Sequence, residues 1–277
     1  MTGPRVVVVL GGGGAKCAAH LGAARALSEA GIVPIRWIGT SLGSVLAAAL
    51  AAGEAPDEIL GRFLSVRRSD VLVPMRFAVV RALFCRALLQ PAPLQRTVER
   101  LLSVRRFSEL HASCTVTAVN ATTGAETWFG ADGMDVPLLD ALAASCALPP
   151  YFPPHAIAGQ EYYDGGLRAV VPLSVAARVP CDRVIAIDVG PGFDEIGMPV
   201  ELPPPLIRSV DTAQGWLMAG TTALLRHQWE SNRDLPPLTW IRPISDRGAT
   251  FAMERAASYA DAGYQATRTA LSAGAID

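Results

Sequence analysis

The apolar positions of this chain fall into two kinds of run. Short aliphatic stretches bounded by glycine, proline or a charge suit strands, and longer alanine- and leucine-rich stretches with helical spacing suit helices. Arg5 to Leu10 is a continuous β-branched run of the kind buried on both faces of a parallel sheet. It ends in Gly11-Gly12-Gly13-Gly14, after which Ala15 to Ala30 reads as a helix stopped by Gly31. A second unit repeats the form: Ile35 to Ile38 as a strand, Gly39-Thr40-Ser41-Leu42-Gly43 as a turn, and a helix from Val45 to Ala52. Gln95 to Leu102 is expected to be helical, and Ser113 to Val119 with Glu126 to Phe129 to form a hairpin. A helix from Leu138 to Cys146 precedes the Pro149-Pro150 pair, and Glu161 to Tyr163 is a short strand entering Asp164-Gly165-Gly166. Arg183 to Val189 reads as another buried strand, Pro191 to Pro205 as a loop, Asp211 to Trp229 as a helix, Thr239 to Ile241 as a last strand and Met253 to Leu271 as a last helix. Such alternation predicts an α/β fold with a largely parallel sheet.

One stretch breaks the alternation. Arg67 to Leu89 is rich in Val, Leu, Phe and Ala, with Arg67, Arg68, Arg76, Arg81 and Arg86 interspersed. At about 100° per residue the last three arginines lie on different sides of a helix, so no clean amphipathic stripe results. Residues 67–90 are read as one or two helices. They serve either for packing or as a lid or cap inserted over the mouth of a site, with arginines for headgroups and Phe77 and Phe84 for acyl chains.

Composition narrows the classes. With 277 residues, half of them apolar, the chain can bury one sizeable core, and residues 1–277 are taken as a single domain. A net charge of −1 carries no basic footprint, which argues against nucleic acid as a partner. Five cysteines (Cys17, Cys85, Cys114, Cys146, Cys181) are scattered without a C-x-x-C pair, against both a disulfide framework and a metal site. Neither a leader nor an apolar run of membrane-spanning length is read, so a cytoplasmic location is expected, with peripheral membrane contact if the lid touches lipid. Oligomeric state is left open. Lys16 is the only lysine in the chain.

The chemistry concentrates at the two strand-to-helix turns. Gly39-Thr40-Ser41-Leu42-Gly43 reads G-x-S-x-G, in which a serine on a sharp turn is pushed toward substrate while glycines on either side let backbones approach. The earlier glycine loop, opening a helix, is an anion site. It is not a Walker A loop, because Ala15 and Cys17 stand where Gly and Ser/Thr are needed, and it lacks the third glycine of a dinucleotide fingerprint. The remaining use is an oxyanion hole. A serine needs a base. The order Ser41, Asp188, His227 could make a triad, but too few strands precede Ser41 for the usual hydrolase topology. His20 is better placed for packing under the site, and His111 and His155 give no signal. Asp164, on a tight turn at a strand end, is the alternative base if burial raises its pKa, although Asp-Gly is also an ordinary turn.

Together these pieces resemble the patatin-like phospholipase family of lipid acyl hydrolases. The resemblance rests on Gly12 to Lys16 with Ala19 to Gly22, on Gly39 to Gly43, on Ala144 to Pro149 with Phe152 to Pro154, and on Tyr162 to Leu167 with Val171-Pro172. It implies a three-layer α/β sandwich with a largely parallel central sheet. It implies a Ser41–Asp164 dyad without histidine, an oxyanion hole from Gly12, Gly13 and Gly14, and supporting turns at Gly39, Gly43, Gly165 and Gly166. No metal or organic cofactor is implied, and the expected partner is a lipid or other acyl ester. Cys17 departs from the family's usual glycine, so the loop there must be helical or displaced. Hydrolysis of phospholipid or lysophospholipid esters is the leading expectation. A catalytically silent lipid-binding or scaffolding protein and an acyltransferase using the same dyad are the alternatives.

Overall fold

The computed structural model describes residues 3–75, 85–197, 204–247 and 250–274. In chain order its elements are β1 (Val6–Leu10), α1 (Ala18–Glu29), β2 (Arg36–Thr40), α2 (Leu42–Ala51), α3 (Pro56–Leu64), α4 (Pro91–Leu101), β3 (Ser113–Asn120), β4 (Glu126–Gly130) and α5 (Leu138–Ser145). There follow β5 (His155–Ile157), β6 (Gln160–Asp164), α6 (Leu173–Ala176), β7 (Arg183–Ile187), β8 (Ile196–Gly197), α7 (Pro205–Ser231), β9 (Leu238–Ile241), β10 (Asp246–Arg247) and α8 (Ala256–Ser272). The main sheet runs β5-β6-β3-β2-β1-β7-β9, with β4 also on β3. Strands β3, β2, β1, β7 and β9 are mutually parallel; β4, β5 and β6 are antiparallel additions.

The uninterrupted run of β1 is explained by helices on both faces. Val6, Val8 and Leu10 pack with residues of α1, α2 and α8 such as Leu21, Leu46 and Tyr259, whereas Val7 and Val9 pack with Leu173, Val175 and Trp229 on the other side. This is a helix–sheet–helix sandwich, as the alternation of elements leads one to expect. From β1 the chain winds one way to β2 and β3 and later returns on the other side as β7 and β9. The switch point therefore lies beside β1, where open α/β sheets form a crevice at their carboxyl edge.

One packing contact sets the fit of two helices. A Cβ placed on Gly22 of α1 would lie 1.8 Å from the Ala260 carbonyl of α8, and one on Gly263 would lie 1.9 Å from the Ala19 carbonyl. The backbones touch, and neither helix can carry a side chain there. Gly22→Ala is expected to cost about 3 kcal/mol by overpacking, read as a lower urea midpoint at unchanged slope. A cost below about 1 kcal/mol would mean that the helices part without strain.

One helix is added and two expectations are revised. Pro56–Leu64 is a helix, signalled by proline at its first turn, Asp57 and Glu58 beside it, and the buried pair Ile59 and Phe63. Helix α7 begins at Pro205 rather than near Asp211, and the preceding loop contributes β8, which pairs with β10. Of residues 67–90, positions 76–84 lie outside the described residues, including Phe77 and Phe84. The flanking ends are not helical beyond a 3-10 turn at Arg68–Asp70. They run antiparallel, with Pro74 bridged to Leu89 and the Met75 amide donating to the Leu88 carbonyl (2.9 Å).

Candidate active site

Strand register explains why two distant turns meet. Residues Ser113 to Thr117 of β3 pair with β2, Ala118 to Asn120 pair with β6, and β4 runs along Thr115 to Val119. Because β4 overlaps both, β2 and β6 share the opposite edge of β3, end to end. Thr40, the last residue of β2, faces Thr117, and Asp164, the last of β6, faces Ala118. The two strands run head-on along one edge, so Ser41 and Asp164 emerge side by side.

Ser41 sits at φ 54°, ψ −137°, a left-handed conformation that costs a non-glycine residue about 1–3 kcal/mol. Its neighbours hold it there. A Cβ on Gly39 would lie 2.4 Å from Ser44 Cα, and one on Gly43 would lie 2.5 Å from the Gly11 carbonyl, so the serine turn is pressed against the end of β1. The Ser41 amide donates to Ser145 Oγ (2.8 Å), whose hydroxyl donates onward to the Thr117 carbonyl (2.7 Å). Two residues further along the same turn, the Ala147 carbonyl accepts from the Asp164 amide (3.1 Å). The segment from Ser145 to Ala147 thus ties the serine and the aspartate into one frame.

Asp164 is buried, and its Oδ1 accepts from the Gly166 amide (2.8 Å). Burial pushes its pKa up to about 7, opposed by a hydrogen-bonding influence from the Ser41 hydroxyl and by the Gly166 amide. Oδ2 nevertheless has no partner of good geometry, so the serine stands close to the carboxyl without a formed bond. Such contacts commonly tighten only when substrate is present. Gly165 fits against β3, where a Cβ would meet the Thr117 carbonyl at 2.6 Å.

The glycine loop reaches the same point. Gly11 is fixed by its amide to the Ile187 carbonyl (3.0 Å) and by its carbonyl, which accepts from His20 Nε2 (2.8 Å). Burial lowers the His20 pKa to about 4, so the ring is neutral and its role is to anchor the loop. The Gly12 amide is already engaged by the Val170 carbonyl (3.0 Å), which removes it from the expected set of free donors. The amides of Gly13 and Gly14 make no backbone hydrogen bond among the described residues, and both glycines line the pocket with Ser41. Cys17 takes helical angles (φ −60°, ψ −16°) in the 3-10 turn Gly14–Cys17, with its thiol directed at the Gly11 carbonyl (3.6 Å). A Cβ is accommodated there because the turn is helical.

Lys16 does not face the pocket. Its Nζ is held by Glu195 (2.9 Å) and the Asp246 carbonyl (3.2 Å). It pins the loop to the small β8–β10 sheet. Asp188 binds Arg242 (2.7 Å) and the Gly190 amide (2.9 Å), while His227 is exposed on α7, so the Ser41–Asp188–His227 arrangement does not form. No described histidine lines the pocket, whose walls beyond Ser41 are apolar and come largely from α3 and α4: Phe63, Val66, Leu94, Val98, Leu101 and, after the Pro149-Pro150 turn, Phe152. No cluster of metal-ligating side chains occurs among the described residues, and none of their helices is long and apolar enough to cross a membrane.

Sequence reasoning missed Ser145 as a tie between the two turns. Its only signal is its place in Ala144 to Pro149, where nothing local indicates a partner.

Residues 8–177, more than half of the chain, match the patatin-like phospholipase family. The chain is 29% identical over 196 residues to an uncharacterized NTE family protein of Mycobacterium tuberculosis, covering 69% of this chain and 52% of that protein. It is 30% identical over 197 residues to patatin-like phospholipase domain-containing protein 6 of Homo sapiens, covering 69% of this chain and 14% of that protein. The chain thus spans about half the length of the mycobacterial relative and a small part of the human one. Among solved structures, VipD from Legionella pneumophila is similar at a TM-score of 0.49 and 15% identity, covering 98% of this chain and 67% of that one.

Proposed function

The chain belongs to the patatin-like phospholipase family, and from that premise we propose that it is a serine lipid acyl hydrolase working through a Ser41–Asp164 dyad. The observation that carries this reading is the meeting, on one edge of β3, of a serine held at positive φ with a buried carboxyl whose pKa is raised to about 7. Ser41 Oγ attacks the ester carbonyl while Asp164 Oδ2, the oxygen without a partner, takes its proton. The amides of Gly13 and Gly14, which make no backbone hydrogen bond among the described residues, receive the developing oxyanion. The protonated Asp164 returns its proton to the leaving alcohol, and the carboxylate then activates water against the acyl-enzyme. The apolar walls from α3 and α4 accept an acyl chain, which favours lipid esters over small polar ones.

A catalytically silent protein would be expected if Cys17 distorted the glycine loop. The helical angles of Cys17 accommodate its Cβ, and Gly13 and Gly14 still line the pocket beside Ser41, which supports catalysis. A fluorophosphonate probe is expected to label the wild-type chain and not Ser41→Ala; equal labelling of both would exclude Ser41 as the nucleophile.

Ser145→Ala tests the tie between the turns. It leaves the Ser41 amide and the Thr117 carbonyl without their buried partner, a loss of about 1–3 kcal/mol. Turnover number is expected to fall roughly tenfold or more while KM stays within about twofold, since the acyl pocket is untouched. A change confined to thermal stability would reduce Ser145 to a packing role.

A further inference from the structure

Helix α7 presents a long apolar stripe to water. It runs from Pro205 to Ser231, but only Ala219, Thr222 and Trp229 of it are buried. A solvated helix ordinarily carries its charges outward. From Thr212 to Leu225 this one has no charged residue at all. Projected at about 100° per residue, Leu206, Val210, Ala213, Leu217, Gly220 and Leu224 fall on one outward face. Leu206 is 72% exposed, Leu217 73% and Leu224 56%, and Trp216, at the edge of the face, is 58% exposed. The charges of the helix lie on a separate side, where Arg208, Arg226 and Glu230 are exposed as well. Asp211 accepts from the Tyr151 hydroxyl, and Arg226 stacks on Trp240 and pairs with Glu230.

This face adjoins the mouth of the pocket. Met218, next to Leu217, lines the pocket with Ser41 and Asp164. Pro191, also in the lining, packs beside Gly215 of α7, and its loop goes on to expose Phe193 and Ile196. The helix and the loop that expose these apolar residues thus also supply part of the pocket wall.

We propose that the outward face of α7, with Phe193 and Ile196, is the surface by which this protein docks on a lipid bilayer. The choice of occupant rests on the acyl-hydrolase reading. It is supported by charge: the helix stripe has no charged group, and Asp194, between Phe193 and Ile196, is paired with Arg242, which suits the boundary between headgroups and acyl chains rather than an ionic partner. Docking there sets the pocket mouth against the bilayer, so an acyl ester can enter without crossing water. The contact is apolar, so it requires neither anionic lipid nor low salt. Trp216 would lie at the headgroup level, where indole rings are favoured.

Ser41→Ala protein, mixed with phosphatidylcholine vesicles, tests docking apart from turnover. It is expected to co-sediment with the vesicles with little change at about 0.5 M salt, and brominated acyl chains should quench a signal that Trp216→Phe removes. The double variant Leu217→Asp/Leu224→Asp is expected to weaken vesicle binding roughly tenfold or more. In an otherwise wild-type chain the same pair of changes should leave hydrolysis of a short soluble ester within about twofold and lower hydrolysis of vesicle phospholipid. Vesicle binding by the double variant equal to that of the parent overturns the proposal. So does a concentration-dependent dimer that these changes dissociate without any vesicle binding, since the face would then belong to a second copy. If vesicles bind as expected but the wild-type chain hydrolyses no ester, the docking surface stands and the acyl-hydrolase reading falls.

Discussion

Ser41→Ala is expected to lower hydrolysis of short p-nitrophenyl esters by about 10⁴-fold or more, the scale seen when a covalent nucleophile is removed. Its fold should survive, because alanine inherits the same turn and the Ser145 bond goes to the Ser41 amide rather than to its side chain. Ser41→Gly separates loss of chemistry from loss of structure. Glycine occupies φ 54° without the strain a Cβ brings, so this variant is expected to be as inactive as Ser41→Ala but more stable, by about 1 kcal/mol. An inactive protein that melts higher than wild type would identify Ser41 as a residue whose strain serves activity. Retained turnover in either variant would remove Ser41 from the chemistry.

Asp164→Asn carries the second large effect. Asparagine keeps an oxygen for the Gly166 amide but cannot take the serine proton, so turnover is expected to fall by about 10³-fold or more. In the wild type, with the Asp164 pKa near 7, the ionised base is the minor form below neutrality and the major form above it. The acid limb of kcat/KM is therefore expected to rise through about pH 7 rather than near pH 4. Stability must move the other way. The folded state holds the Asp164 proton more tightly than the unfolded chain, so this residue contributes nothing below about pH 4 and an increasing penalty from there to about pH 7, constant above. At about 1.4 kcal/mol per unit, the full penalty is on the order of 4 kcal/mol. Asp164→Asn should therefore match wild type in stability near pH 4 and exceed it near pH 8. Equal stability across that range, or an acid limb near pH 4, would show a carboxyl exposed to water. Loss of activity on His227→Ala instead would restore the histidine alternative.

Both turns proposed to carry the chemistry could be read in the sequence because each is a local device. The Gly39 to Gly43 turn announces itself by the glycines needed for close approach, and the Asp164-Gly165-Gly166 turn does so by the donors it offers its own aspartate. The buried character of β1 was legible for a similar reason, since a run with no polar position can lie only between two layers. Other features depend on partners far along the chain. That the Gly12 amide is taken by Val170 leaves no trace in the glycine run. The tie through Ser145 joins the turn after β2 to β3 through one hydroxyl, and the exposed apolar stripe of α7 becomes visible only once its inward side is known.

By itself, then, the sequence determined the alternation of strand and helix and the two turns that can carry chemistry, because turn geometry and burial pattern are written in neighbouring residues. Which titratable side chain lies beside the serine depends on tertiary structure. β2 and β6 converge on one edge of β3 and set Asp164 beside Ser41, while Arg242 occupies Asp188 and His227 stays in solvent. Burial then raises the Asp164 pKa toward neutrality, a property of its surroundings that no residue letter contains.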